Sequence, residues 1–481
     1  MVNTFYDLYL KMDGDYANRI ALRWVAADGK TVCSRTFGEY CADIRRFAGL
    51  LKERLGDPSR KHIAILSVNR YDFYVSIFAC FLTGCVFAPL NYQKKTEELL
   101  DEIKRADVSA VFYASDTLDF FPELPEKFMG AFIDIFEYNR YPESKINKSE
   151  SSSSLASILY TSGTTGHSKG VMLSQENLLA AFRQWAYVEN KRFHNKFPNE
   201  DHSYFNALPL FHVGGLMAIE SFLSGSSINI CESPRYFYRD MAMMPSFYSA
   251  LVPTLFSSIC KEVKTGHQDR FSTLRHILTV GANADREAIS CLIENGYHIQ
   301  QGYAMTESFG CGTLNNSQDV NRINSVGMRQ DVVQIKLDDG EICLKGKTIF
   351  MGYYHDPEET AKAFDADGWF HTGDLARVDE DGYYYLTGRK KNLIILSNGE
   401  NVSPEELEAQ VAKNEAVIEV LVKEKNDKIC AEIFCEEGDR DGIRAFITKL
   451  NRTLPIYKRM TAVEFRSEPF PRTATGKIKR T

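Results

Sequence analysis

The sequence predicts an α/β protein with a large amino-terminal region and a small α+β carboxy-terminal domain, on three observations. Short β-rich runs alternate with helical patterns from Thr4 to about Gly310. Asp-Gly turns then crowd the segment Val332 to Leu386, and a separate mixed pattern begins after Gly388. The first signals parallel sheets covered by helices, the second a small β-rich subdomain, and the third a domain of its own.

Between Thr4 and Ile146, β-rich runs at His62–Val68, Ala110–Tyr113 and Ala131–Ile135 alternate with helical patterns at Phe37–Leu55 and Thr96–Arg105. The uncharged stretch Val75–Leu90 is shorter than the roughly 20 residues that span a bilayer, and it contains Gly84 and Pro89. It predicts a buried helix followed by a strand, so no membrane span is expected. The polar run around Lys145, Lys148 and Ser149–Ser154 predicts a loop between subdomains. Alternation resumes from Leu155 to about Gly310. In Val332–Leu386 the turns are Asp339-Gly340, Asp367-Gly368 and Asp381-Gly382. Past Gly388 the pattern predicts a helix at Pro404–Lys413, strands at Val417–Lys423 and Lys428–Cys435, and a helix at Asp441–Leu454. The expected layout is a core of residues 1–388, in subdomains of about 1–150, 151–310 and 311–388, and a mobile domain of residues 389–481 linked at Arg389–Lys391.

A chain of 481 residues with 44% hydrophobic and 25% charged residues can bury a sizeable core. Its net charge of −7 gives no broad basic surface, so no nucleic-acid partner is expected. The 11 cysteines include no CxxC pair, which argues against a disulfide framework or a zinc site and for a reducing, cytoplasmic setting. Asp7, Lys11, Asp13, Asp15 and Arg19 break any signal-peptide run at the amino terminus.

The most informative stretch is Tyr160-Thr161-Ser162-Gly163-Thr164-Thr165-Gly166-His167-Ser168-Lys169-Gly170. Its glycines let amide N–H groups face one point, its hydroxyls add donors, and Lys169 adds positive charge. Read as lying between a strand and a helix, it suits a polyphosphate, with ATP as the natural candidate. It is not a Walker loop, because Gly-Lys-Ser/Thr is absent. Gly166-His167-Ser168-Lys169-Gly170 formally fits the G-x-S-x-G elbow of hydrolases, but that elbow turns at the serine itself, and here the strand is expected to end earlier.

With the segments that follow, the chain resembles the adenylate-forming superfamily of acyl-CoA synthetases, peptide-synthetase adenylation domains and firefly luciferase. Leu208-Pro209-Leu210-Phe211-His212-Val213-Gly214-Gly215 is similar to the family's acid-pocket motif. Gly281-Ala282-Asn283 and Gln301-Gly302-Tyr303-Ala304-Met305-Thr306-Glu307 are similar to its adenine and magnesium segments. Thr372-Gly373-Asp374, Gly388-Arg389-Lys390-Lys391, Ser397-Asn398-Gly399-Glu400-Asn401-Val402 and Pro471-Arg472-Thr473-Ala474-Thr475-Gly476-Lys477 complete an ordered series over essentially the whole chain.

The resemblance implies that Thr161, Ser162, Gly163, Thr164, Thr165, Gly166 and Lys169 bind ATP phosphates. It implies an adenine site at Gly281, Ala282, Asn283 and Tyr303 with Gln301, Gly302 and Thr306, and nucleotide contacts from Asp374, Arg389 and Lys391. Magnesium prefers hard oxygen ligands, and Glu307 with Thr161 is the implied set. His212 is implied near the reacting carboxylate, with Val213, Gly214, Ser308, Phe309 and Gly310 around the acid. Lys477 is implied as the cation that stabilises charge at the α-phosphate. Gly399 is implied as the side-chain-free passage for the acceptor thiol.

The expected reaction joins a carboxylic acid to ATP as acyl-AMP, releases pyrophosphate, and passes the acyl group to coenzyme A. No acid stands in the His212 motif to hold a substrate ammonium, so a fatty or other uncharged tail is expected. In place of Ser168 the family commonly has proline, a departure expected to have a modest effect. The sequence ends four residues past Lys477, either as a short protein or as a piece of one with a carrier domain, so a carrier-protein thiol is the alternative acceptor. A hydrolase and a non-catalytic nucleotide-binding module are the other competing functions.

Overall fold

The computed structural model describes every residue except 1, 148–152, 162–167, 190–201, 272, 280–285, 397–400, 426–427, 473–477 and 481, and the side chains of 189 and 401. The chain forms two compact units. The first comprises Met1–Ile335 and Leu344–Phe370, and the second Lys336–Cys343 and His371–Thr481.

The first unit is an α/β body with two mixed sheets, as the alternation predicts. One sheet has seven strands in the order Gly352–Tyr353, Lys169–Ser174, Leu155–Thr161, Val86–Pro89, His62–Leu66, Val108–Tyr113 and Ala131–Asp134. From Leu155–Thr161 to Ala131–Asp134 neighbouring strands are parallel, and Lys169–Ser174 is antiparallel to both of its neighbours. Central parallel strands are covered on both faces, which is why His62–Leu66 is an almost unbroken apolar run.

Helix Phe37–Leu55 begins with a capping box between Thr36 and Glu39 and buries Phe37, Tyr40, Ile44, Phe47 and Leu51 along one stripe. Helix Tyr71–Thr83 is buried on nearly every side and ends at Gly84, and the strand Val86–Pro89 follows. This is the helix and strand expected of Val75–Leu90. Among the described residues no helix is long and apolar enough to cross a membrane.

The second sheet has nine strands, in the order Met328–Arg329, Thr313–Asn315, His298–Tyr303, His276–Thr279, Tyr248–Leu251, Tyr204–Asn206, Ile228–Ile230, Ile20–Val25 and Val32–Thr36. A core containing Phe205, Leu251, Phe256, Ile259, Ile277, Leu292 and Ile299 packs behind its middle.

Two readings are corrected. The hydroxyl-rich segment does not join a strand to a helix: it joins the antiparallel strands Leu155–Thr161 and Lys169–Ser174, with Thr161 opposite Lys169. Helix Gln175–Glu189 starts only after the second strand, so no helix N-terminus lies at the segment's end. Ser168 accordingly immediately precedes a strand and makes no hydrolase elbow. In addition, the segment Val332–Leu386, read as dominated by short strands and turns, also contains the helix Pro357–Ala363, capped by the Asp356 side chain on the Glu359 N–H. Asp-Pro-Glu-Glu is an N-terminal helix signature that the density of Asp-Gly turns obscured.

The second unit holds most of a four-stranded sheet in the order Val333–Asp338, Glu341–Gly346, Phe370–Val378 and Tyr384–Arg389. It also holds a three-stranded sheet of Glu419–Glu424, Ile429–Phe434 and Met460–Arg466, antiparallel in the first pair and parallel in the second. Helices Pro404–Val411 and Arg440–Thr453 pack with that sheet around Leu407, Val411, Val422, Ile433, Ile443, Ile447 and Met460. The link at Arg389–Lys391 lies inside this unit, where Lys390–Asn392 forms a 3-10 turn.

Candidate functional site

The register of three neighbouring strands brings together residues that are far apart in sequence. Tyr353 lies opposite Val171 and Thr161 opposite Lys169, so the short strand Gly352–Tyr353 flanks the strand that carries the lysine. The Tyr353 hydroxyl donates to Glu307 Oε1 at 3.0 Å. The Lys169 ammonium lies 4.7 Å from the Tyr353 ring centre and 2.5 Å from Glu359 Oε2. Glu307 sits in the 3-10 turn Thr306–Ser308, is 8% exposed, and accepts the Phe350 N–H on its backbone carbonyl at 2.8 Å.

Burial, reinforced by the Glu307 charge, pushes the Tyr353 phenol well up, so it stays protonated and donates. Hydrogen bonds from Lys169 and Lys362 hold the Glu359 carboxyl at about 2. A carboxylate, an ammonium and a phenol thus gather beside the strand pair that carries Thr161 and Lys169, a set able to hold a polyphosphate with a hard cation. The Glu307 carboxylate and the Thr161 hydroxyl are the oxygen donors magnesium prefers, so the residues present fit that ion. Ser162, Gly163, Thr164, Thr165, Gly166, Gly281, Ala282, Asn283, Gly399 and Lys477 lie outside the described residues.

Tyr303 ends the strand His298–Tyr303 and is 7% exposed, with its hydroxyl 4.0 Å from Met305 Sδ. Gln301 donates its side-chain amide to the Ile323 carbonyl at 2.8 Å, which engages that side chain in tying its strand to the turn Val320–Arg322. Next to it, Gly302 leaves a Cβ-sized space whose nearest atom is the Thr313 carbonyl at 3.4 Å.

On the acid side, the loop after Tyr204–Asn206 is fixed by two buried asparagines. Asn69 donates to the carbonyls of Leu208 and Cys231 and accepts the Leu210 N–H, and Asn206 bonds the Tyr74 hydroxyl and the Gly215 carbonyl. A Cβ on Gly215 would lie 2.2 Å from the Pro209 carbonyl oxygen, so only glycine fits this close approach. His212 precedes the short helix Val213–Leu216 and packs on Phe211, ring centres 4.5 Å apart. Burial, helped by the charge of Lys94, lowers its imidazole to about 4, so it is neutral at physiological pH.

Around the expected pocket, Phe309 has a left-handed backbone, φ +41°, and is fully buried against Phe182. The Gly310 carbonyl accepts from Trp185 Nε1 at 3.1 Å, and a Cβ on Gly310 would lie 3.1 Å from Met217 Sδ and 3.3 Å from Val213 Cγ1. Val213 and Gly310 are therefore brought together, with Met217 and Trp185 as neighbours that no motif revealed. Ser308 is fully buried, and its hydroxyl bonds the Met305 backbone within its own turn. Gly214 lies against Leu208, whose Cδ1 would stand 2.9 Å from an added Cβ.

Within the second unit, Arg389 Nε lies 2.6 Å from Asp374 Oδ1, and Asp374 is 6% exposed. The turn before it is tightly built. Gly373 has φ +72° and gives its N–H to Glu341 Oε1 at 2.9 Å, while the Asp374 N–H bonds Thr372 Oγ1 at 3.1 Å. Burial pushes the Glu341 carboxyl up, but hydrogen bonds from Lys390, His371 and the Gly373 N–H together leave it below its ordinary value. Lys391 is exposed.

A profile of the AMP-binding enzyme family matches residues 13–354. The chain is 31% identical over 456 residues to the 2-succinylbenzoate–CoA ligase of Listeria innocua, covering 92% of this chain and 93% of that protein. It is 28% identical over 485 residues to the long-chain-fatty-acid–CoA ligase FadD13 of Mycobacterium tuberculosis, covering 92% and 90%. The fold is similar to that of O-succinylbenzoate coenzyme A synthetase (MenE) from Bacillus subtilis, solved in complex with ATP and magnesium ion, with a TM-score of 0.82, 24% identity, and coverage of 98% of each chain. With a family match over most of the chain and ligase relatives along its length, the chain belongs to the AMP-binding enzyme family, and its chemistry is that of an AMP-forming acid–CoA ligase.

Proposed function

We propose that the chain activates a carboxylic acid with an uncharged aryl or aliphatic tail, using magnesium-ATP, and transfers the acyl group to coenzyme A. The observation that carries this reading is the meeting of Glu307 and Tyr353 with Lys169, the first residue of the strand that follows the hydroxyl-rich segment. A carboxylate oxygen of the substrate attacks the α-phosphorus, and the bond to pyrophosphate breaks. The thiol sulfur then attacks the acyl carbonyl, AMP leaves with the bonding electron pair, and the thiol proton passes to solvent.

In this reading Thr161 to Lys169 receive the phosphates, and Glu307 with Thr161 would hold magnesium. Bound there, magnesium would neutralise phosphate charge. Tyr303 and Gly281–Asn283 border the adenine, with Gln301, Gly302 and Thr306 beside them. Asp374 accepts from the ribose hydroxyls, with Arg389 pairing it and Lys391 nearby in sequence. Lys477 stabilises charge as the α-phosphate reacts. Neutral His212 faces the reacting carboxylate without forming an ion pair with it. Residues 389–481 act as a mobile domain that carries Lys477 and Gly399 to their separate steps.

Apolar Val213, Met217, Trp185 and Phe309 around Gly310 support an uncharged tail. Of the ligase relatives, the one that acts on long-chain fatty acids supports an uncharged tail, the one that acts on 2-succinylbenzoate, whose second carboxylate is charged, supports only the aryl class, and both favour coenzyme A over a carrier protein. The test is a panel of aryl, aliphatic and amino acids scored by hydroxamate trapping and by coenzyme A thioester formation. Turnover of aryl or aliphatic acids to coenzyme A thioesters is expected. Activation of amino acids alone, or transfer only to a phosphopantetheinyl carrier, would overturn the reading.

A further inference from the structure

Ser168, the residue before strand Lys169–Ser174 in the hydroxyl-rich segment, is gripped from helix Thr96–Arg105 and the turn before it. Its hydroxyl accepts from Lys94 Nζ at 3.0 Å and bonds the Glu102 carboxylate. Its carbonyl accepts from Arg105 Nη1 at 2.7 Å. Lys94 and Glu102 form an ion pair whose side chains are only 11% and 3% exposed. Arg105 is braced in turn, with Nε on Asp101 at 2.8 Å and its guanidinium 5.2 Å from the Tyr160 ring centre. The Tyr160 hydroxyl closes the group on the Glu102 carbonyl at 3.2 Å.

A buried ion pair contributes little net stability, because desolvation offsets the attraction. What this one does is present a fixed ammonium and a fixed carboxylate to a single serine. The Lys94 charge also helps lower the His212 imidazole. We propose that Lys94, Glu102 and Arg105 are positioning residues for ATP binding: they fix Ser168, and with it the strand end that presents Lys169 to the phosphates. Holding that end before ATP arrives removes part of the ordering cost of binding. The proposal rests on the reading of Thr161 to Lys169 as the nucleotide segment.

The deciding variant is Ser168→Ala, which leaves the Lys94–Glu102 pair and the Arg105 bond to the backbone carbonyl in place and removes only the hydroxyl tie. Hydrogen bonds to charged groups are worth enough that Kd for magnesium-ATP, measured by calorimetry on the full chain, should rise about tenfold. The melting temperature and the KM for the acid should stay unchanged, and Ser168→Thr, which keeps the hydroxyl, should restore tight binding. An unchanged Kd in Ser168→Ala, or a rise that Ser168→Thr does not rescue, overturns the positioning role while the nucleotide reading stands. Failure of the wild-type chain to bind ATP overturns both.

Discussion

The Lys169 ammonium lies 2.5 Å from Glu359 Oε2, so the lysine expected to meet ATP phosphates is engaged by a carboxylate of helix Pro357–Ala363. The two side chains are 25% and 34% exposed, and pairs so placed are worth about 1 kcal/mol or less. Exchange of Glu359 for a phosphate is therefore cheap, yet it is a cost that ATP must meet.

Glu359→Gln should accordingly tighten magnesium-ATP binding by up to about fivefold, the equivalent of one such pair. Calorimetry on the variant checks this. Weaker binding would mean that Glu359 aims the lysine and does not compete with the phosphates for it.

Glu307→Gln keeps the shape of the side chain and the Tyr353 hydrogen bond while removing the charge that would hold magnesium. Acid-dependent pyrophosphate exchange should fall about a hundredfold, with a raised magnesium requirement, since electrostatic groups at a charged reacting centre act on that scale. Tyr353→Phe, which removes one bond to the carboxylate, should cost about tenfold. An unaltered magnesium titration in Glu307→Gln would remove Glu307 from the site.

Much of this was legible in the sequence because the ordered motifs are contiguous and each element announces its own ends. The helical pattern at Phe37–Leu55 gives the observed bounds, which the Thr36–Glu39 capping box and Gly56 fix in the structure. Lys94, Glu102 and Ser168 gave no such signal. They are scattered in sequence, and a charged residue on an amphipathic helix reads as solvated until the fold shows it buried. Trp185 and Met217 were hidden for the opposite reason, as ordinary apolar positions on helical segments. Strand Met460–Arg466 went unread because its residues are mostly half-buried, which blurs the alternation a strand normally shows.

His212 gives a pH prediction. Its imidazole is lowered from 6.5 to about 4, so the unfolded chain takes up the proton first as the solution is acidified. The neutral folded form is favoured above pH 6.5, and stability is lost as pH falls from there toward about 4. Melting temperatures of the wild type should fall across that window by more than those of His212→Asn, and the two curves should run parallel above it. Parallel curves throughout would show that the histidine titrates normally.

The last prediction concerns the division of labour in the second unit. Lys477 and Gly399 are proposed to serve different half-reactions at one active site, and both lie in residues 389–481. On that proposal the segment takes a different placement in each step, and Lys391 is the proposed pivot. It is exposed and lies two residues after Arg389, the partner of Asp374, in the 3-10 turn Lys390–Asn392, where a backbone change breaks no core. Lys391→Pro would fix φ near about −65° and also restrict Lys390. Pyrophosphate exchange should then survive while thioester formation falls steeply. Lys477→Ala should do the reverse, losing activity from free acid yet converting supplied acyl-adenylate. Melting temperatures establish that each variant is folded, and the ratio of the two half-reaction rates is the readout. Equal loss of both rates in folded Lys391→Pro, or no loss in either, would show that the lysine is no hinge. Equal damage to both half-reactions in Lys477→Ala would likewise make that lysine structural, because charge at the α-phosphate develops only in the first step.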